Sequence, residues 1–265
     1  MGIHPTAVVD SNAELGDVEI GPYAVVGAGV TLEDGVRVGP HAVIYGETRM
    51  GEGNLVHAHA VIGGDPQDLK YQGGATQLEI GKNNTFREFV TISRGTEHGG
   101  GVTKIGDNNL FMACAHVGHD ACIGSHCVFA NSVALAGHVL VQDHAVLGGM
   151  AGVHQFSRIG RFAMVGAGAM AAQDVPPFSI AQGDRARLFG LNIIGLRRGG
   201  FDSETISVLR NAYRELFSKG APLRIALERV RETHGNSAEV RELIEFIEGS
   251  KRGLCRASGP EVASD

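Results

Sequence analysis

The chain has 265 residues, a net charge of −6 and 43% hydrophobic residues, which describes a water-soluble globular protein of one large or two smaller domains and excludes a disordered chain. No run of about eighteen uncharged apolar residues occurs, and the opening MGIHPTAVVD lacks the basic-then-apolar order of a secretory leader; the reading is cytoplasmic, with no transmembrane segment and no nucleic-acid partner. Glycine at 39 residues, with no Trp and 6% aromatics, excludes an ordinary aromatic-rich core and points to a narrow, repetitive one.

In chain order, aliphatic residues recur every six positions almost from the start, at Ile3, Val9 and Leu15, then through Ile20, Val26, Leu32, Val38, Ile44, Met50, Val56 and Ile62. Two segments interrupt the frame, GGDPQDLKYQGGATQ at 63–77 and SRGTEHGGGVTK at 93–104, and read as protruding loops. Between them the frame holds at Ile80, Phe86 and Ile92, and from Ile105 every six-residue unit again opens with Ile, Phe, Val or Leu. A period of six fits neither an α-helix nor a simple hairpin sheet and is one of the β-helix periods. Three hexads of short parallel strands would close one coil of eighteen residues. The opening aliphatic and the residue four places later (Ala115, Ala121, Val133) would point inward, with glycines supplying the corner turns.

After VPPF at 175–178 the hexads stop. Ile206, Leu209, Tyr213 and Leu216 follow helical spacing, with Asp202 or Ser203 as a cap and Gly220 as a stop. Leu223, Leu227 and Val230, then Val240, Leu243 and Ile247, repeat the signal. The expected division is therefore a β-helix over 1–183 and a small α-helical carboxyl-terminal domain over 184–265, with a frayed tail from Arg256. Residues 1–183 carry 9 Lys plus Arg against 17 Asp plus Glu, and residues 184–265 carry 14 against 12. The helical part is thus the basic one, a weak pointer to an acidic partner. Cys114, Cys122, Cys127 and Cys255 form no CxxC pair and read as reduced, small fillers.

The candidate chemistry lies in AHVGHDACIG at 116–125. Six of the twelve histidines fall between 116 and 154, at positions expected to point outward. With eighteen residues per coil, His119, Gly137 and Gln155 should stack, and so should Asp120 with His138. An imidazole beside a carboxylate has the composition of a general base with its orienting partner, provided a corner turns both side chains into one groove. Gly137 would offer a backbone N–H to a developing oxyanion. His126 and His144 are also eighteen apart, which leaves a metal enzyme of carbonic anhydrase type as an alternative, its third ligand supplied by a partner subunit. A non-enzymatic trimeric scaffold with polar histidines at its seams is the other.

The segments IGGDPQDLKY, VTISRGT, GGGVTKIG, AHVGHDACIG, ANSVALAGHV, GGMAGVHQF, AQDVPPF and GLNIIGLRR together resemble the UDP-N-acetylglucosamine 3-O-acyltransferases of lipid A biosynthesis, over residues 1 to about 250. The resemblance implies an all-β left-handed parallel β-helix followed by a small α-helical domain, assembled as a homotrimer with clefts between subunits. The hand is an exception to the right-handed crossover rule. It implies transfer of an (R)-3-hydroxyacyl chain from acyl carrier protein to the glucosamine 3-position, without cofactor, metal or covalent acyl-enzyme. By the same resemblance His119 is the base, Asp120 its partner and Gly137 the oxyanion donor. Gln67, Asp68 and Lys70 meet the sugar and acyl part, His116, His138, His154 and Gln155 line the cleft, and Asn192 and Arg198 reach the nucleotide. Ala167 matches the position that limits acyl length, and its small side chain implies a medium-length chain. The chain departs from relatives at Ile194, where a carboxylate can stand, at Gly199, where a second basic residue is common, and at Ser93, where a histidine is found. Some relatives acylate a 3-amino analogue of the sugar instead.

Overall fold

The computed structural model describes residues 2–217 and 221–258. Gly220 and the tail beyond residue 258 lie outside the described residues.

Short strands, most of two residues, line up in three sheets of 11, 9 and 8 strands, and every third strand in the sequence is a neighbour within a sheet. The pairing is parallel throughout the coils, with Leu110, Val128, Val146 and Met164 in successive register at the expected spacing of eighteen. This is a left-handed parallel β-helix. The hexad-opening residues from Ile20 to Val165 are buried, none more than 5% exposed, and Ala115, Ala121 and Val133 are buried at 1%. Their burial supplies the main stabilisation of a fold whose individual strands are too short to persist alone.

The prism is narrow, so its filling is specific. Phe86, Phe111 and Phe129 stack down the axis with centroids 5.0 and 4.6 Å apart. At one inner corner Asn54, Asn84 and Asn109, all buried, form a ladder. Each amide oxygen accepts the backbone N–H of the residue one coil on, at 2.7–2.9 Å, and each amide nitrogen donates to a glycine carbonyl. Burying these polar groups is tolerable because both ends are paired.

Glycine turns some of the corners as expected, with Gly29, Gly35, Gly53 and Gly168 at φ between 66° and 75°. Others are turned without glycine: sixteen non-glycine residues among those described, including His41, Asp120, His126, His138 and His144, hold φ between 53° and 65°. This left-handed region tolerates Asn, Asp and His better than most side chains. Many glycines have ordinary φ and serve close approach instead: a Cβ at Gly39 would lie 3.0 Å from both Ala58 N and Val56 O of the next coil.

The two interruptions emerge as loops, residues 65–76 between strands Val61–Gly64 and Gln77–Ile80, and residues 94–101 between Thr91–Ser93 and Val102–Ile105. Arg94 ties them together, donating to Gly63 O, the Asp65 carboxylate and Tyr71 Oη.

At the other end, strands Ser179–Gln182 and Arg187–Leu191 form an antiparallel hairpin, and the division expected after residue 183 falls in its turn. Four helices follow: α1 (Ile193–Arg198), α2 (Ser203–Phe217), α3 (Leu223–His234) and α4 (Ala238–Glu248). Asp202 caps α2 through Thr205 N at 2.7 Å, and Ile206, Leu209, Tyr213, Leu216, Val230, Val240, Leu243 and Ile247 are buried. Arg161 fastens helices to coils, its fork on the Glu242 carboxylate at 2.7–3.0 Å. The chain then returns to the last coil, where Ser250 Oγ donates to Asp174 Oδ2 at 2.7 Å.

Candidate active site

Asp120 occupies a left-handed corner with φ 57°, and this turn settles why two adjacent side chains share one groove. His119 Nδ1–H donates to Asp120 Oδ2 at 2.7 Å, with the carboxylate side chain 1% exposed and the imidazole 14%. An ionised carboxylate only accepts, so Nδ1 carries the proton and Nε2 keeps its lone pair. Thr96 donates twice to the same carboxylate, through its N–H at 2.9 Å and its hydroxyl at 2.7 Å. Asp120 N–H in turn donates to Thr103 Oγ1. Burial pushes the Asp120 carboxyl up, but the hydrogen bonds from His119 and Thr96 outweigh it and hold it below its ordinary value.

Gly137 lies one coil on. A Cβ there would meet the His119 ring at 2.5 Å from Cε1 and 2.6 Å from Nε2, so the missing side chain is the space the imidazole occupies. The Gly137 N–H donates to no acceptor among the described residues. His138 follows at the next left-handed corner, its Nε2 3.7 Å from Asp120 Oδ2 and its ring stacked on Phe156 at 4.4 Å. His116 Nδ1 pairs with Thr91 Oγ1 at 2.7 Å. Desolvation lowers the pKa of both His116 and His138, so both are neutral at pH 7 and present lone pairs and N–H groups rather than charge.

Asp68 reaches this cluster from the first loop and pairs with His98 Nε2 of the second at 3.2 Å. The Lys70 N–H, then His98 and the nearby His119, hold its carboxyl below the ordinary range. Gln67 and Lys70 are exposed on the same loop. His154 and Gln155 are exposed beyond His138, and His154 Nδ1 meets Arg252 Nη2 at 2.8 Å. Ala167 stands exposed on a corner.

The helical-domain residues divide. Arg198 is exposed, but Asn192 is 6% exposed and caps α1, its Oδ1 accepting from Gly195 N at 3.0 Å and its Nδ2 donating to Phe162 O at 2.9 Å. These two bonds fix the orientation of its amide at the start of the helix. Gly199 has a packing reason: a Cβ would lie 2.5 Å from Phe162 Cε1. Ile194 is exposed and Ser93 is buried.

His126 and His144 do stack, at 4.8 Å, but at a different corner from His119. Among the described residues the group able to hold a metal is His119, Asp120 and His138, their ligand atoms within 4.8 Å of one another. Thr96, Thr103, Thr91, His98 and Arg252 were not singled out from sequence. For Thr96, His98 and Thr103 the signal was the SRGTEHGGGVTK interruption, but which side chain a loop turns inward depends on tertiary contact.

A β-helix of hexads with an outward His–Asp pair beside a glycine defines an acyltransferase of the hexapeptide-repeat class. A sequence profile described as "Udp N-acetylglucosamine O-acyltransferase; Domain 2" matches residues 174–255. An acyl-[acyl-carrier-protein]--UDP-N-acetylglucosamine O-acyltransferase of Stenotrophomonas maltophilia is 48% identical over 256 residues, covering 96% of this chain and 97% of the relative. One of Paraburkholderia phymatum is 49% identical, covering 96% and 99%. The solved LpxA of Acinetobacter baumannii superposes with a TM-score of 0.93 at 41% identity, covering 96% of this chain and 99% of that one. The chain belongs to the family of acyl-carrier-protein-dependent UDP-N-acetylglucosamine O-acyltransferases.

Proposed function

We propose that this chain moves an (R)-3-hydroxyacyl group from acyl carrier protein to the glucosamine 3-hydroxyl of UDP-N-acetylglucosamine, the first step of lipid A biosynthesis, within a homotrimer whose clefts lie between subunits. The observation that carries the reading is His119, its Nδ1 committed to a buried carboxylate at 2.7 Å and its ring against Gly137, whose N–H has no acceptor among the described residues.

His119 Nε2 takes the proton of the sugar hydroxyl as its oxygen attacks the thioester carbonyl. Asp120 stabilises the imidazolium that forms, and Gly137 N–H donates to the oxyanion. As the C–S bond breaks, the imidazolium returns its proton to the departing thiolate, which leaves as the free thiol. Neutral His116 and His138 beside Asp68, Gln67 and Lys70 suit a neutral sugar and an amide-rich acyl arm, and exposed Arg198 has the fork for a diphosphate. Ala167, exposed on one chain, becomes the end wall of an acyl slot only when a neighbour covers it.

Transfer from a ladder of 3-hydroxyacyl carrier proteins to UDP-N-acetylglucosamine, with the 3-amino analogue in parallel, tests the reading. His119→Ala is expected to lose about 10²- to 10⁴-fold in rate with an unchanged fold. Full activity without His119 would refute the base. Preferential transfer to the 3-amino sugar would replace O-acylation by N-acylation. Stoichiometric metal in the active protein, lost with activity on chelation, would move the function to the metal alternative.

A further inference from the structure

Thr96 belongs to the second loop yet is completely buried. Gly99 and Gly101 N–H groups both donate to its carbonyl, so the loop closes around it. A Cβ at Gly99 would run into the Asp120 carboxylate, so the same turn also covers that carboxylate. The Thr96 hydroxyl donates to Oδ2, the oxygen that accepts from His119, whereas its N–H donates to Oδ1. One carboxylate oxygen is therefore shared between a hydroxyl and the imidazole.

A donor on a carboxylate oxygen satisfies part of its charge and leaves less to stabilise a neighbouring imidazolium. We infer that Thr96 is a positioning residue whose hydroxyl, by occupying Asp120 Oδ2, sets the basicity of His119. The inference rests on the reading of His119 as the general base. With the hydroxyl removed, Oδ2 keeps its hydrogen bond from His119, with His138 Nε2 still 3.7 Å away, and the proton affinity of Nε2 rises. Only unprotonated Nε2 accepts the sugar proton, so the acid limb of the pH profile moves to higher pH. The other titratable groups facing the pair are His116 and His138 on the coils, and Asp68 and His98 on the two loops; none is altered by a change at Thr96.

Thr96→Val removes the hydroxyl at nearly constant volume and keeps the N–H, and Thr96→Ser restores the hydroxyl. The measurement is kcat/KM between about pH 5 and 9 for the full chain, with a 3-hydroxyacyl carrier protein and UDP-N-acetylglucosamine. Thr96→Val is expected to move the acid limb up by about half to one pH unit, a three- to tenfold loss below the limb, with the plateau within about threefold of wild type. Thr96→Ser is expected to keep the wild-type limb. An unmoved limb in Thr96→Val, a lowered plateau over an unmoved limb, or a serine variant shifted as far as valine would each overturn the inference. Should the valine variant not fold, Thr96→Cys, a weaker donor, is expected to shift the limb the same way by less, and an unmoved limb there overturns it too. Wild-type activity in His119→Ala would overturn the base itself. Loss of activity there with an unmoved limb in Thr96→Val would overturn only the role of Thr96.

Discussion

Adding one methyl at Gly137 gives the sharpest test of the site geometry. The added Cβ would sit 2.5 Å from Cε1, 2.6 Å from Nε2 and 3.0 Å from Nδ1 of His119, whereas carbon atoms rest at about 3.5–4.0 Å. The imidazole must therefore retreat by about 1 Å. Gly137 is not among the positive-φ glycines, so alanine strains no backbone, and it retains the N–H. Retreat lengthens the Nδ1–Oδ2 bond, a charge-assisted contact worth about 1.5–3 kcal/mol. A misplacement of about 1 Å at a reacting atom costs about 10²-fold. Gly137→Ala is thus expected to lower kcat/KM about 10²-fold with a melting temperature within a few degrees of wild type. Steady-state rates alongside thermal unfolding provide the assay. A variant within about threefold of wild type would show that the ring is not held where the reaction needs it.

Three further outcomes follow from the same packing. Asn84→Ala leaves Asn109 N–H and Gly106 O without their partners and is expected to cost about 2–5 kcal/mol in urea unfolding; a loss under about 1 kcal/mol would mean the ladder is dispensable. The Asp120 carboxyl lies below its ordinary 3.8 in the folded chain, so its stabilisation is complete above that pH and is lost as pH falls through the folded value. The melting-temperature advantage of wild type over Asp120→Asn should accordingly shrink below pH 3.8, and an undiminished gap at pH 3 would contradict the assigned ionisation. Ala167→Gly should shift donor preference toward longer acyl chains, by about one carbon step per methyl, and an unchanged chain-length profile would remove Ala167 from the acyl slot.

The coils were legible because burial repeats with the hexad: each opener from Ile20 to Val165 is buried where the period places it, and register spaced by eighteen brought Asp120 beside His138. The helices were legible for the same reason at a different period, with Asp202 as the cap. What periodicity could not carry is contact between segments that do not repeat. Thr96 reaches Asp120 across 24 residues and Arg252 reaches His154 across 98, and neither separation is a multiple of the eighteen-residue coil. Asn192 was visible as a polar residue ahead of Ile193 but not as a cap, because its second bond goes to Phe162 O, 30 residues away. Glycine marks some corners, Gly29 and Gly53 among them, but not others, because close approach of the next coil and a left-handed turn both favour glycine and sequence alone does not separate the two.

The coil of eighteen also makes the chain a raster, a surface written line by line. Neighbours along a line are consecutive residues, and neighbours across lines are one coil apart, as Leu110, Val128, Val146 and Met164 are. Insertions at a corner, such as the two loops, delay the next line without tearing the image, as the pairing of Met50 with Ile80 and of Ile80 with Ile105 shows. Variation in such a protein is free to accumulate by columns: a groove can be redrawn down one edge while the lines that carry it stay in place.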